Sequence, residues 1–577
     1  MALLHPTDHA SAAAWVGFSA MALGMFMAIL DIQIVATSLP AISSALDISP
    51  DRMSWIQTAY LIAEVISIPL TGWLIRALTF RRLFMLAIGG FTLASVGCAA
   101  SSGFASLTAW RIVQGFSGGT LIPMVFSAVF LLLPRRAEGL ATTIAGVLAV
   151  LAPTLGPVVG GWTTTRFSWH WLFLINVVPG SVALLVGAIC LPRQRSETSL
   201  FRALDWIAVG CVAMTLAALE IGLKEAPKRG WWSVFVLLAF ALCLMLGAAF
   251  TVRTLRSPRP LVNLALFSDD RFAVGCILSF LLGIGLYGSV YLMPVFLALV
   301  RGHGPLRIGI VMLVTGSAQL VAAPLTVWIE RRGFAALLAT MGFALFGAGL
   351  WLSADQTPQT DFAGMFWPQV IRGSAIMLCI LPPTRLALGH LDPEQVPDAS
   401  SLFNLMRNLG GAIGIALIDT VIWSRVAGHG QDLVDRLVAG DRSAAAFMGL
   451  SPDLLAGPHP PPDSPLVQAF LKPFVEKAAL TLAIDEAWLL AAAFAMAGAL
   501  LAGAVAFRQR RKAGSRITRE GRIETDGRHP SDVPSHSTVH DSCCFEPDRT
   551  FCRPCVCGDV RGVEERLPEG IEAGAEP

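Results

Sequence analysis

Long apolar segments dominate the pattern of hydrophobic and polar positions. About fourteen apolar runs follow one another, each near the roughly 20 residues that a helix needs to cross a bilayer core. The runs lie near 14–40, 54–76, 83–101, 106–133, 139–163, 169–192, 205–223, 232–254, 272–299, 306–329, 333–353, 362–388, 399–424 and 484–507. Glycine and proline occur inside many of them, as membrane helices tolerate. The pattern predicts an all-α membrane protein with fourteen transmembrane helices.

Three segments fall outside the runs. Residues 1–13 contain no lysine or arginine, so we expect a short cytoplasmic N-terminus before a first helix that is retained rather than cleaved as a signal. Residues 425–483 predict a long outer loop, rich in proline and glycine around 458–465. Residues 508–577 are polar and of mixed charge, which predicts a disordered cytoplasmic tail.

Composition and charge agree with a lipid environment. Only 14% of the residues are charged, whereas soluble domains carry about 25%. The net charge of +2 provides no basic surface, so we expect the lipid bilayer and no nucleic acid as a partner. Basic residues follow the even-numbered runs, as at Arg76, Arg81 and Arg82 after the second run. The positive-inside rule therefore places both termini in the cytoplasm.

An internal repeat organises the runs. Pro69-Leu70-Thr71-Gly72-Trp73 in the second run matches Pro324-Leu325-Thr326-Val327-Trp328 in the tenth, and the same offset of 255 residues relates Arg76 to Arg331. Gln114-Gly115 in the fourth run matches Arg372-Gly373 in the twelfth more weakly. Helix two thus pairs with helix ten, and helix four with helix twelve.

The repeat predicts two six-helix bundles, residues 14–192 and 261–507, separated by two inserted helices in 193–260. Parallel halves of this kind are typical of the major facilitator fold, whose substrate sites lie near the midplane where the halves meet. The inserted helices have no counterpart in the repeat, so we expect them outside the substrate path.

Five segments carry a more specific resemblance. They are Leu30–Pro40, which contains Asp31; Ile66–Trp73; Trp169–Gly180; Tyr291–Phe296; and Ala399–Gly411, which contains Asn404 and Arg407. Together they resemble the signatures of the fourteen-helix drug:proton antiporters of the EmrB/QacA type. Gln33 and Ala36 replace the usual threonine and asparagine, and His170 stands where arginine is common, so the substrate range stays open.

The resemblance implies a function and its partners. It implies proton-coupled export of small hydrophobic drugs or toxic compounds by alternating access across a bacterial inner membrane. In a double-membraned bacterium it also implies a periplasmic adaptor and an outer-membrane channel as partners. Export or import of one specific metabolite is the alternative. A membrane-embedded enzyme, or a receptor without transport, is a more remote one, because the chain has only 10 histidines and a clear repeat.

Two motifs predict close helix packing. The loop from Gly72 through Arg76 to Arg81 and Arg82 resembles a facilitator loop motif that locks adjacent helices. An acidic residue usually stands where Arg76 stands and a glycine where Thr79 stands, which argues against that loop's usual charge pairing. The second motif contains the glycines and proline of helix five, and helix four has one glycine of similar role: Gly156, Pro157, Gly160, Gly161 and Gly115. Small residues allow close helix approach, and the helix-five pattern resembles a motif of exporters.

Intramembrane charges are the candidate coupling groups. A buried charge costs several kcal/mol unless it is paired or hydrated, so Asp31 and Arg111 predict a functional pair, unless Arg111 snorkels to the interface. A carboxylate in a low-dielectric site binds a proton more readily, and a nearby arginine opposes this. When such a pair is exposed to the two sides of the membrane in turn, proton release depends on the side, as antiport requires. Glu64 and Glu220 are the next candidates, and Asp419 lies near a run's end.

The remaining candidates concern the substrate. The resemblance places helices one, four, nine and twelve around a cavity, with candidate lining residues Gln114, Tyr287, Tyr291, Arg372, Asn404 and Arg407. No phosphate-binding loop or H-E-x-x-H motif occurs, so we predict no cofactor. Cys552-x-x-Cys555 in the tail lacks a second pair of matching spacing, and we predict no metal site there.

Overall fold

A computed structural model describes residues 11–48, 50–193, 204–258, 260–330, 335–451 and 465–526. These residues contain no β-strand, and fourteen of their helices are long and apolar enough to cross a membrane, which confirms the predicted count. We number these helices α1 (Ala12–Ala45), α2 (Pro50–Leu78), α3 (Phe80–Ala99), α4 (Phe104–Leu132), α5 (Arg135–Arg166), α6 (Val177–Cys190), α7 (Trp206–Arg229), α8 (Val234–Arg256), α9 (Asp270–Val295), α10 (Pro305–Glu330), α11 (Ala335–Leu352), α12 (Phe362–Leu388), α13 (Val396–Val438) and α14 (Pro465–Asp526). A short helix, Trp171–Leu174, precedes α6 and belongs with it to the sixth membrane-crossing segment, Trp171–Cys190. A π-helical turn, Phe296–Val300, follows α9 and extends the ninth segment to Val300.

The sequence repeat is also a repeat of packing. In the first half α1 packs on α5 and α2 on α4, and in the second half α9 packs on α13 and α10 on α12. A Cβ atom at Gly115 of α4 would lie 2.2 Å from the carbonyl oxygen of Tyr60 in α2. A Cβ atom at Gly373 of α12 would lie 2.4 Å from the carbonyl oxygen of Thr315 in α10, which is 255 residues after Tyr60. The backbones of the paired helices therefore touch at the same place in both halves.

The two halves meet along α2 with α13 and along α5 with α10, which are equivalent contacts under the repeat. Glycines of α5 allow close contact with both of its neighbours, α1 and α10. Gly156 and Gly160 lie against Gln33 and Ile34 of α1, while Gly161 lies against Leu306 of α10. Glycine is needed there because a side chain would separate backbones that are in contact.

The inserted helices differ from each other. Only 6% of the most apolar stretch of α8 is buried, as expected for a helix at the lipid-facing rim. α7 instead packs on both α2 and α13, and its Val212 shares a hydrophobic core with Trp73 of α2 and Phe403 of α13. α7 is thus less peripheral than the repeat predicted, because it covers the seam between the halves.

The described part of the predicted outer loop 425–483, residues 425–451 and 465–483, is largely helical. α13 continues to Val438, a short helix spans Arg442–Met448, and α14 begins at Pro465. Leu433, Met448 and Ala479 belong to a small hydrophobic core of their own. The spacing of apolar residues at 433 and 437 is helical, but the polar residues around it resemble a loop.

The last long helix also extends beyond its predicted end. α14 continues to Asp526, past the predicted start of the tail at residue 508. The chain divides into a unit of residues Met1–Ala513 and a unit of residues Gly514–Pro577, and the described part of the second is the helical end of α14. Residues 527–577, with the Cys552 and Cys555 pair, lie outside the described residues.

A buried ion pair as the candidate coupling site

Asp31 and Arg111 form a salt bridge inside the first half. Arg111 in α4 donates from Nη1 to Oδ2 of Asp31 in α1 at 2.5 Å, and both side chains are 0% exposed. Arg111 therefore does not snorkel to an interface. An unpaired charge at this depth would cost about 2.5–3.5 kcal/mol or more, so each residue offsets the energetic cost of burying the charge of the other.

Three further polar side chains complete the surroundings of the carboxylate. Asn176, just before α6, donates to Oδ1 of Asp31 at 2.8 Å, and Gln114 donates to the same oxygen at 3.0 Å. The Gln114 amide also donates to Ser95 of α3 at 2.9 Å and accepts from Arg111 at 2.7 Å. Gln114 was predicted as a cavity residue, but it belongs to this buried network. Sequence reasoning missed Ser95 and Asn176, although Asn176 lies in one of the signature segments.

Tyr60 of α2 is the other neighbour of the arginine. The Arg111 guanidinium lies 4.2 Å from the centroid of the Tyr60 ring, a cation–π contact, and its Nε donates to the Ile56 carbonyl at 3.4 Å. The Tyr60 hydroxyl donates to the Ala28 carbonyl of α1 at 3.1 Å. Among the described residues, Nη2 of Arg111 has no hydrogen-bond partner. The network thus ties α1, α2, α3 and α4 together around one carboxylate.

Glu64 and Glu220 extend this line of ionisable groups toward the seam. Glu64 is one turn after Tyr60 on α2, is buried, and interacts electrostatically with Tyr60 and with Glu220 of α7. Lys224, one turn beyond Glu220, donates to Ser54 of α2 at 3.2 Å. The structure therefore places the four predicted coupling residues, Asp31, Arg111, Glu64 and Glu220, along one line. Glu220 of α7 lies at the end of this line, at the seam between the halves.

The predicted cavity residues of the second half separate into two groups. The first lies along the contact of α9 with α13: Tyr287 donates to Asn408 at 2.7 Å, Tyr291 donates to Asp419 at 2.5 Å, and Arg407 donates to Asn404. Arg407 also reaches the first half, with its guanidinium 5.2 Å from the Phe126 ring of α4. The second group is Arg372 alone, which lies in α12 beside Thr315 of α10 and Trp488 of α14.

The loop between α2 and α3 corrects one expectation. Arg76 forms a salt bridge with Asp398 of α13, so charge pairing between the halves is present here, with the acid supplied by α13. Gly72 allows the contact, because a Cβ atom there would lie 2.9 Å from the backbone nitrogen of Asp398. Thr79, at the usual glycine position, has a positive φ of 81°. Arg81 donates to the Ala188 carbonyl of α6, and Arg82 is exposed.

A second charged cluster joins the halves at the same end of the helices. Arg385 of α12 donates to Glu330 of α10 at 2.5 Å, and Glu138 at the start of α5 interacts electrostatically with both. It occupies the α5–α10 contact, as Arg76 and Asp398 occupy the α2–α13 contact. No group of three or more metal-ligating side chains occurs in the described part of the chain.

The sequence of this two-bundle protein matches a known family model. The model described as Major Facilitator Superfamily matches residues 21–415. The chain belongs to the Major Facilitator Superfamily. It is therefore a transporter rather than an enzyme, and a multi-pass membrane protein.

Several curated relatives of this chain are named as export or resistance proteins. Colistin resistance protein EmrB of Acinetobacter baumannii is 40% identical, over 70% of this chain and 80% of that protein. Multidrug export protein EmrB of Escherichia coli K12 is 29% identical, over 74% and 84%. Fatty acid resistance protein FarB of Neisseria gonorrhoeae is 29% identical, over 73% and 83%.

Among solved structures, the crystal structure of the human organic anion transporter MFSD10 matches with a TM-score of 0.54. It covers 84% of this chain and 99% of that chain at 15% identity. At this identity the match concerns the fold alone, and it agrees with the major facilitator arrangement predicted from the repeat.

Proposed function

We propose that this transporter exports hydrophobic drugs or toxic compounds in exchange for protons. The observation that carries the proposal is the Asp31–Arg111 pair, which is fully buried and is surrounded by hydrogen-bond donors. The relatives named as multidrug export and resistance proteins support an exporter over an importer. A specific-metabolite transporter remains the second candidate class.

Proton binding changes the strength of the hydrogen bonds that Asp31 makes with its neighbours. Ionised Asp31 holds Arg111 of α4 and the Asn176 amide at the start of α6. Protonation removes the negative charge and weakens both contacts, since charge-assisted hydrogen bonds are about twice as strong as neutral ones. Freed from Asp31, α4 and α6 reposition against α1. This change is the link between proton binding and the alternation of access.

Tyr60, Glu64 and Glu220 provide the proton with a route from the seam. The three side chains follow one another from Asp31 toward α7, and neighbouring members interact electrostatically. A proton captured by Glu220 passes to Glu64 and then to the Asp31 network. α7 therefore takes part in coupling although the repeat leaves it without a counterpart.

We further propose a bacterial inner membrane as the location, with both termini in the cytoplasm. In this orientation the Arg76–Asp398 end is cytoplasmic and the extensions of α13 and α14 face the opposite side. α13 has 43 residues, about 65 Å of helix, whereas a bilayer core is about 30 Å thick. The extension beyond the core, with its own hydrophobic cluster, gives a periplasmic adaptor and an outer-membrane channel a protein surface to contact.

Inverted membrane vesicles provide the test. Vesicles that contain the protein are energised to make their interior acidic, and the collapse of the pH gradient is recorded when hydrophobic compounds of unrelated skeletons are added. We expect several of them to release protons from wild-type vesicles and none to do so from Asp31→Asn vesicles. Release by a single metabolite alone would favour the second candidate class.

A further inference from the structure

The guanidinium of Arg372 is buried in the second half without an acidic partner. It is 3% exposed, and its one hydrogen bond to a described residue runs from Nη2 to the Thr315 hydroxyl at 3.2 Å. Its Nε and Nη1 have no hydrogen-bond partner among the described residues, and no described carboxylate lies within salt-bridge distance. A buried cation is costly unless it is paired, so its counter-charge has to come from elsewhere.

Two neighbouring side chains also present donors without acceptors. The indole of Trp488 lies with its ring centroid 5.2 Å from the guanidinium carbon, and its Nε1 has no partner among the described residues. Gln369, one turn before Arg372, accepts from Thr315 at 3.0 Å, and its Nε2 is likewise without a described partner. The cluster therefore has unpaired hydrogen-bond donors and one positive charge, and it needs hydrogen-bond acceptors and a negative charge to match them.

The repeat explains what is missing. Arg372 and Gln369 are equivalent to Gln114 and Arg111 in the first half, so an arginine and a glutamine have exchanged places. In the first half, Asp31 of α1 neutralises the arginine. The register that relates Pro40 to Pro294 places Gly285 of α9 at the position of Asp31, and Gly285 packs against Phe346. The second half thus keeps the buried cation but has no carboxylate at the position of Asp31.

We propose that the Arg372 cluster (Arg372, Gln369 and Trp488) binds the carboxylate of an amphiphilic organic anion. The guanidinium and the two N–H donors take the anionic group, and the flat indole face takes the adjoining apolar body. Thr315 orients the guanidinium. This inference rests on the proposed export function and names a substrate class for it. Asp31 handles the proton in one half, and Arg372 binds the substrate anion in the other.

A direct binding measurement tests the site apart from transport. The full chain is purified into nanodiscs of zwitterionic phosphatidylcholine, and equilibrium dialysis compares 2-naphthoate with its neutral isostere 2-naphthamide. We expect the wild type to prefer the carboxylate. Arg372→Gln should weaken naphthoate binding roughly 10- to 100-fold, as expected for loss of a charged hydrogen bond, and leave naphthamide unchanged. Trp488→Phe keeps an aromatic ring and should give a smaller loss.

The control variant is Arg425→Gln, an arginine on α13 that is largely exposed. It should bind naphthoate as the wild type does. Equal affinity of the wild type for both compounds, equal losses of both in Arg372→Gln, or no loss at all would overturn the proposal. So would displacement of naphthoate by chloride at equal concentration, which would identify a site for an inorganic anion. If vesicles show no export but the naphthoate preference depends on Arg372, the proposed function fails and the anion site stands.

Discussion

Arg76 at the end of α2 donates to the carboxylate of Asp398 at the start of α13, so an ion pair joins the two halves at one end of the bundle. Asp398 is almost buried and Arg76 is about one-third exposed, and Gly72 lets their backbones approach. Next to them, Ser400 of α13 donates to the Pro123 carbonyl of α4 at 2.8 Å. In this structure the two halves are therefore closed together at this end.

Breaking the pair should loosen this end. Asp398→Asn should raise the labelling rate of a cysteine introduced by Ser400→Cys by roughly two- to fivefold, since a partly exposed pair contributes at most about 1 kcal/mol. The measurement uses a variant in which the native cysteines are replaced. The exchanged pair Arg76→Asp with Asp398→Arg should restore slow labelling. Equal labelling in all variants would mean that the pair does not hold the halves together.

Asp31 should be required for proton-driven transport. Asp31→Asn keeps the shape of the side chain but removes the group that binds the proton, so pH-gradient collapse on addition of substrate should disappear while expression is retained. Asp31→Glu should keep part of the activity. Asp435→Asn, on the exposed extension of α13, serves as the control and should transport normally. Normal proton-driven transport by Asp31→Asn would exclude Asp31 and leave Glu220 or Glu64 as the coupling acid.

Glu220 should accelerate transport without being indispensable, because it lies at the far end of the route from Asp31. We expect Glu220→Gln to lower the rate of proton-coupled export, and Glu64→Gln to lower it further. Glu225→Gln is the matched control on α7, since Glu225 pairs with Arg229 on its own helix. If Glu220→Gln and Glu225→Gln have the same rate as the wild type, α7 has no part in coupling.

Thr79 should be a site of backbone strain. Its φ of 81° and ψ of 155° lie in a region that is essentially confined to glycine, and such a conformation costs about 1–3 kcal/mol. Thr79→Gly should therefore raise the thermal unfolding temperature in detergent. Thr251→Gly on the exposed face of α8 should lower stability slightly instead, by roughly 0.3 kcal/mol. A fall in stability for Thr79→Gly would show that the hydroxyl or methyl group matters more than the strain.

The connection between α9 and α10 should depend on an ionised Asp361. A hydrogen bond from His303, with the Phe362 amide and Arg301, lowers the pKa of Asp361 from 3.8 to about 2. A lowered pKa in the folded state stabilises the fold above the ordinary value, and this contribution is lost as pH falls through about 2. Asp361→Asn should reduce thermal stability at pH 7, and its difference from the wild type should shrink between pH 4 and pH 2. A difference that stays constant with pH would assign the effect to helix capping alone.

The sequence by itself determined the fourteen helices and the repeat. Lipid forces each crossing segment to satisfy its own backbone, so a spanning helix is a local property that apolar length reveals. The Pro69 and Pro324 match located the two halves for the same reason, because each half repeats the same local requirements. The sequence also singled out Asp31 and Arg111, since a charge within an apolar run has few uses.

Only the tertiary structure decided which side chains these charges meet. The carboxylate of Asp31 is held by Asn176, 145 residues away, and Arg76 finds its acid in the other half. Such contacts depend on which helix faces pack together, and short-range sequence patterns do not reveal that packing. The same holds for α7, whose place over the seam no repeat could predict, and for Arg372. Its sequence position is equivalent to that of Gln114, but only the packing of its described neighbours shows that no carboxylate of theirs pairs with it.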